Sequence, residues 1–137
     1  MNSGQKPKTA SNSPSTYSGG ITVKSPQELD SMRRAGKIVG NVIDLLKAAV
    51  APGMTTKDLD EIAYKEITRQ KAKPTFMGYH GFPASICTSV NEEIVHGIPG
   101  KRILQEGDIV KVDVGATIEG FIGDAAVSLP VGEVTPE

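Results

Sequence analysis

A chain of 137 residues is long enough to bury one real core but not two. Its 15 basic and 16 acidic residues leave a net charge of −1, with Lys and Arg scattered, which excludes the basic face that nucleic acid or a membrane surface would need. One cysteine excludes an intrachain disulfide framework and fits a reducing cytoplasm, and no apolar run reaches membrane-spanning length or makes a secretory signal.

Residues 1–20 are Ser, Asn, Thr, Pro and Gly with lysines at the front, and read as a disordered tail with no apolar face to bury. Residues 21–24 form a lead-in or a short edge strand. Ser25-Pro26-Gln27-Glu28 is a helix start, with Ser25 as N-cap, Pro26 at the first helical position and Glu28 closing a capping box. Leu29, Met32, Ile38, Val42, Leu45, Leu46 and Ala49 then recur at helical spacing, with Arg33, Arg34 and Lys37 toward solvent. Ala51-Pro52-Gly53 ends that helix. A second opens at Thr55 with Asp58 three residues on and Leu59, Ile62, Ala63 and Ile67 as its buried stripe, and Pro74 closes it. Neither helix is assigned any chemistry.

Residues 74–81 (PTFMGYHG) form a glycine-punctuated loop. Phe76, Tyr79, His80 and then Phe82 gather rings in a chain that is otherwise poor in them, which suits either a pocket wall or a loop pinned to the core. Residues 85–90 read as a strand, Asn91-Glu92 as a turn and residues 93–96 as the return strand. His96 ends that strand just before the rigid turn Gly97-Ile98-Pro99-Gly100, a position where catalytic groups concentrate. Cys87, between Ile86 and Thr88, reads as a buried small apolar side chain rather than a reactive thiol. Residues 101–107 are a connector, and the chain from Val131 on carries no further element.

Residues 109–127 (IVKVDVGATIEGFIGDAAV) are two strands joined at Glu119-Gly120. Val110, Val112 and Val114 alternate with Lys111 and Asp113, giving one apolar and one polar face. Asp is depleted in strands, so Asp113, and Asp124 among Phe121, Ile122, Ala125 and Ala126, each need a partner. A two-residue loop sets Asp113 opposite Ala126 and Asp124 opposite Gly115, making the aspartates diagonal neighbours on one face, roughly 7–8 Å apart. A slip of one residue would set them directly opposite. Either way like charges converge, and a cation between them is the stronger resolution. Carboxylates alone leave Mn, Fe, Co and Zn all open.

The segments YHGFPASICTSVNEEIVHGIPG, GDIVKVDVG and GFIGDAA together resemble a type I methionine aminopeptidase, over about residues 21–137. That resemblance implies an α/β (α+β) "pita-bread" fold with antiparallel sheet and helices on one side. It implies removal of the initiator methionine from nascent polypeptides, possibly at the ribosome, by a cytoplasmic enzyme that is a monomer at full length and uses two divalent metal ions. Asp113 matches the aspartate that binds one metal, and Asp124 the aspartate that bridges both. His96 matches the histidine that contacts substrate at the scissile peptide. Tyr79, Phe82 and Cys87 match the wall of the methionine pocket, with His80 at its edge. Phe76 stands where many members carry a smaller residue. The family's remaining ligands, two glutamates and a histidine, come from its second half, so this chain is expected to be the N-terminal half and inactive alone. Two alternatives stay open: a proline-directed peptidase of the same fold, against which HGIP after YHG argues, and a metal-free binding module, which would usually lose the aspartates.

Removing residues 1–20 should leave the melting temperature unchanged, because nothing in them can pack. A clear drop in a thermal melt would show that the tail docks.

Overall fold

The computed structural model describes residues 24–92 and 97–133. The expected tail, most of the lead-in and the return strand at 93–96 lie outside them. The chain divides into two units, Met1–Asp30 and Ser31–Glu137. In the first, the described residues open helix α1 (Pro26–Ala49) with the expected capping box. The Ser25 N–H donates to the Glu28 carboxylate at 2.8 Å, and the Glu28 N–H donates to the Ser25 hydroxyl at 3.1 Å.

In the second unit the rest of α1 is followed by α2 (Thr56–Arg69), β1 (Lys73–Pro74), β2 (Ile86–Val90), β3 (Ile109–Ile118) and β4 (Phe121–Pro130). Thr55 and Asp58 make the second capping box. β3 is the spine of the sheet. Along one edge it pairs antiparallel with all of β4; along the other it pairs with β2 and then β1, end to end. Its even-numbered residues Val110, Val112, Val114 and Ala116 are fully buried in one cluster with Ile38, Val42 and Leu46 of α1 and Leu59 and Ile67 of α2. Fully burying each such Leu or Ile stabilises by about 1.5–3 kcal/mol. The antiparallel sheet with both helices on its valine face is the architecture the resemblance implies.

The buried stripe of α1 differs from the expected one. It runs through Ser31, Ala35, Ile38, Val39, Val42 and Leu46, while Leu29, Met32 and Leu45 are about two-fifths exposed, at 39%, 42% and 42%. The reason is close approach. A Cβ on Gly123 of β4 would lie 2.6 Å from the backbone C and O of Ala35 and 2.9 Å from the N of Gly36. Backbone that close admits only small side chains at the crossing, so Ala35 and Ser31 face the sheet and the larger Met32 is turned away.

Three further differences extend the fold. Lys73-Pro74 is not the mere end of a helix but a short strand pairing with Thr117 and Ala116. The connector carries a fully buried Leu104, and Val131, where the elements were expected to have ended, is fully buried too. Gly107 donates to the Val131 carbonyl at 2.9 Å, and Val131 to that of Asp108 at 2.9 Å, so the two segments fasten each other.

Gly123→Ala should lower the unfolding free energy by about 1–3 kcal/mol, because rigid backbone must move to admit the methyl group. Gly36→Ala, in the same crossing but with nothing within 4 Å of its own Cβ, should raise it by about 0.5–1 kcal/mol. Denaturant titration of both variants checks the opposite signs.

Candidate metal centre

The turn between β3 and β4 decides where the aspartates stand. Glu119 and Gly120 have φ of 53° and 83°, the two positive values a type I′ hairpin loop requires. Ile118 therefore pairs with Phe121, Asp113 with Ala126 and Gly115 with Asp124. The diagonal arrangement holds, and the slipped register does not occur. The tip is tied to α1: the Glu119 carboxylate accepts from the Ser31 hydroxyl at 2.5 Å and from Arg34 at 3.0 Å. Both bonds hold its carboxyl below the usual range, the Ser31 bond most.

On the face away from the helices, Asp113 is half-buried and Asp124 exposed. Cys87 of β2 pairs directly with Asp113 and so joins that face. It is buried, as expected of a small apolar residue. Burial pushes its thiol up, and the charges of Asp113 and Asp124 push it the same way. Both carboxylates thus act on the thiol. The floor between the carboxylates and β1 is Gly115, and a Cβ there would meet Thr75 at 3.1 Å and the tip of the Phe76 ring at 3.3 Å. The Thr75 N–H donates to the Gly115 carbonyl at 3.1 Å, and the Thr75 and Thr117 hydroxyls share a hydrogen bond of 2.7 Å. Thr75 and Phe76 therefore lie over that end of the face.

The other expected site residues are placed less completely. Tyr79 is 68% exposed, on a turn of 3-10 helix at Tyr79–Gly81, and Phe82 is half-buried after it. The His80 side chain and the whole of His96 lie outside what is described. The turn after His96 is anchored nevertheless. Thr88 donates to the Gly97 carbonyl at 3.0 Å, and Gly100 donates to the Thr56 hydroxyl at 2.8 Å. A cavity of about 370 Å³ lies elsewhere, lined by Asp60, Glu61, Tyr64 and Lys65 of α2 and by Met77. It includes neither aspartate.

Oxygen donors on one open face fit a divalent ion of the Mn, Fe, Co or Zn type, but only as part of a shell. Among the described residues no three His, Cys, Asp or Glu are grouped to hold a metal.

Comparison with known proteins settles the family. Residues 30–137 match the model of metallopeptidase family M24. The chain belongs to that family. It is 52% identical over 118 residues to a methionine aminopeptidase of Clostridium acetobutylicum, covering 85% of this chain and 47% of that protein. It is 50% identical over 117 residues to methionine aminopeptidase 1 of Bacillus subtilis, again covering 85% and 47%. Its fold matches the crystal structure of methionine aminopeptidase from Rickettsia prowazekii with a TM-score of 0.79 at 37% identity, over 84% of this chain and 46% of that one. The chain thus spans about half the length of the curated relatives it matches. Family membership implies divalent metal, and it carries the pita-bread fold as expected.

One polar residue that holds the start of β2 is not among the expected site residues. Asp60 of α2 receives two backbone N–H groups at the start of β2. Its sequence signal is spacing: Asp60 lies four residues after Thr56 and three before Ala63, beside the buried stripe of α2, and is half-buried there.

Asp113→Ala and Asp124→Ala should each weaken Co(II) or Mn(II) binding by at least about tenfold, since charge-assisted ligation is lost. Without metal both should melt within about 0.5 kcal/mol of the parent, since neither side chain is in the core. Calorimetric titration and thermal melts read the two effects separately.

Proposed function

We propose that this chain supplies one part of the dinuclear metal site and the methionine pocket of a methionine aminopeptidase. The observation that carries the reading is the pair of aspartates on one face of one hairpin, with the buried Cys87 beside them. Relatives named methionine aminopeptidase, at 50% and 52% identity, support it.

In this reading Asp113 and Asp124 would hold the two divalent metal ions, drawn from Mn, Fe, Co or Zn. Bound there, divalent metal supplies a Lewis acid and a water of lowered pKa. The chain's own residues orient the substrate. Cys87, Phe82, Tyr79 and His80 receive the methionine side chain and exclude water from it. His96 donates a hydrogen bond at the scissile peptide, where negative charge grows in the transition state. The substrates are N-termini of nascent polypeptides, met at or near the ribosome in the cytoplasm, and the working enzyme is a monomer. No helix among the described residues is long and apolar enough to cross a membrane.

The test is a chimera in which this chain replaces the matching half of the Bacillus subtilis relative, assayed for methionine release from a Met-Ala peptide with Mn, Co or Fe(II). Activity is expected, and Asp113→Ala or Asp124→Ala should abolish it. His96→Ala should lower kcat on the order of 10²–10³-fold with metal content unchanged. Near-parental turnover in either aspartate variant would sink the site assignment, and metal loss in His96→Ala would make His96 a ligand instead.

A further inference from the structure

β2 offers its N–H groups alternately to β3 and to its other edge. Thr88 points off that other edge, to the Gly97 carbonyl, whereas Asn91 points back to the Ile109 carbonyl at 2.8 Å. Ile86, two residues before Thr88, therefore directs its N–H off the outer edge, where no strand meets it among the described residues. A single oxygen fills the gap. Oδ1 of Asp60 accepts from Ser85 N–H at 2.7 Å and from Ile86 N–H at 3.0 Å. Ser85 itself is fully buried, and its hydroxyl has no partner among the described residues, so its side chain offers no alternative anchor. Asp60 also lines a cavity together with Met77 of the ring-bearing loop. It thus stands between that loop and the strand that carries Cys87 to Asp113.

We propose that Asp60 is a positioning residue: by capping the orphan donors of Ser85 and Ile86 it holds the start of β2, and so fixes Cys87 against the aspartate face. That the held segment is a substrate wall rests on the aminopeptidase reading; that Asp60 holds it does not. Geometry rather than charge is what it contributes. Burial pushes the Asp60 carboxyl up against the two backbone bonds, which pull it down. A neutral amide oxygen in the same place would accept both N–H groups without that burial cost.

Cys87 is the one cysteine of the chain, and so reports on β2 without metal or substrate. The experiment measures alkylation of Cys87 by iodoacetamide in the 137-residue chain, at fixed pH and well below melting. Asp60→Ala should react about tenfold faster than the parent, as expected for a locally opened strand end. Asp60→Asn should restore a rate within about twofold, because the acceptor remains. Leu46→Ala, a core truncation beneath α1, serves as control: it should lower the melting temperature yet leave the Cys87 rate near the parent's. A parental rate in Asp60→Ala, equal acceleration in Leu46→Ala, or no rescue in Asp60→Asn would each overturn the proposal. Should Asp60→Ala not fold, amide exchange in the parent decides. Ser85 and Ile86 should be as protected as Thr88, and fast exchange at either would overturn it. None of these readouts depends on aminopeptidase activity, so failure of the positioning role and failure of the functional reading remain distinguishable.

Discussion

Position 123 has no space for a side chain, and much of the molecule follows from that. Backbone of α1 lies against it at distances that even a methyl group would violate. A residue of β4 that faces the helix must therefore be glycine here, and its neighbours must face the other way. Asp124 is thereby sent to the open face. A slip of one residue would drive the carboxylate into the backbone of Ala35, burying a charge with no counter-ion. The loop at Glu119-Gly120 enforces the same register from the other end, and the bonds from Ser31 and Arg34 to Glu119 tie the tip to the helix that does the excluding. Helix seating and carboxylate placement are one constraint.

That constraint explains how well the hairpin reads from sequence alone. A period-2 valine strand, a Glu-Gly turn and a Gly-Asp pair are local signals, and in an antiparallel hairpin local signals fix the partner of every residue. Both capping boxes were legible for the same reason, since each closes within four residues. Of the site, the face shared by Asp113 and Asp124 and the burial of Cys87 could be read. The ligand roles came from family resemblance, and spacing alone would not have given them.

What escaped the sequence depends on long-range contact. Helical spacing in α1 permits more than one apolar stripe, and hydrophobicity alone favours the one with Leu29, Met32 and Leu45. The actual stripe is chosen by Gly123, some ninety residues away. Lys73-Pro74 lacks any strand-like pattern because two residues cannot show a period; it is a strand only because β3 extends past β2 and offers Ala116 and Thr117. Leu104 and Val131 sit in segments with no periodic pattern, and long-range backbone bonds hold them: Leu104 to Gly53 and Met54, Val131 to Gly107 and Asp108. Asp60 does leave a local trace, an acid at helical spacing from Thr56 and Ala63.

The electrostatics of the open face follow from the same geometry. Two carboxylates share that face with a thiol that burial, and then their charge, push toward protonation, and neither carboxylate is in an ion pair among the described residues. A divalent cation held there, as proposed, would find in two oxygen donors little of the shell that such an ion demands. On that proposal cation and further donors would act together, since each would raise the affinity for the other by mass action. Access to the face is uneven. Thr75 and Phe76 cover the face over Gly115, on the side of β1, whereas Asp124 and Ala126 on β4 are exposed. The face is therefore open on the side of β4, the strand whose glycine placed the carboxylate there.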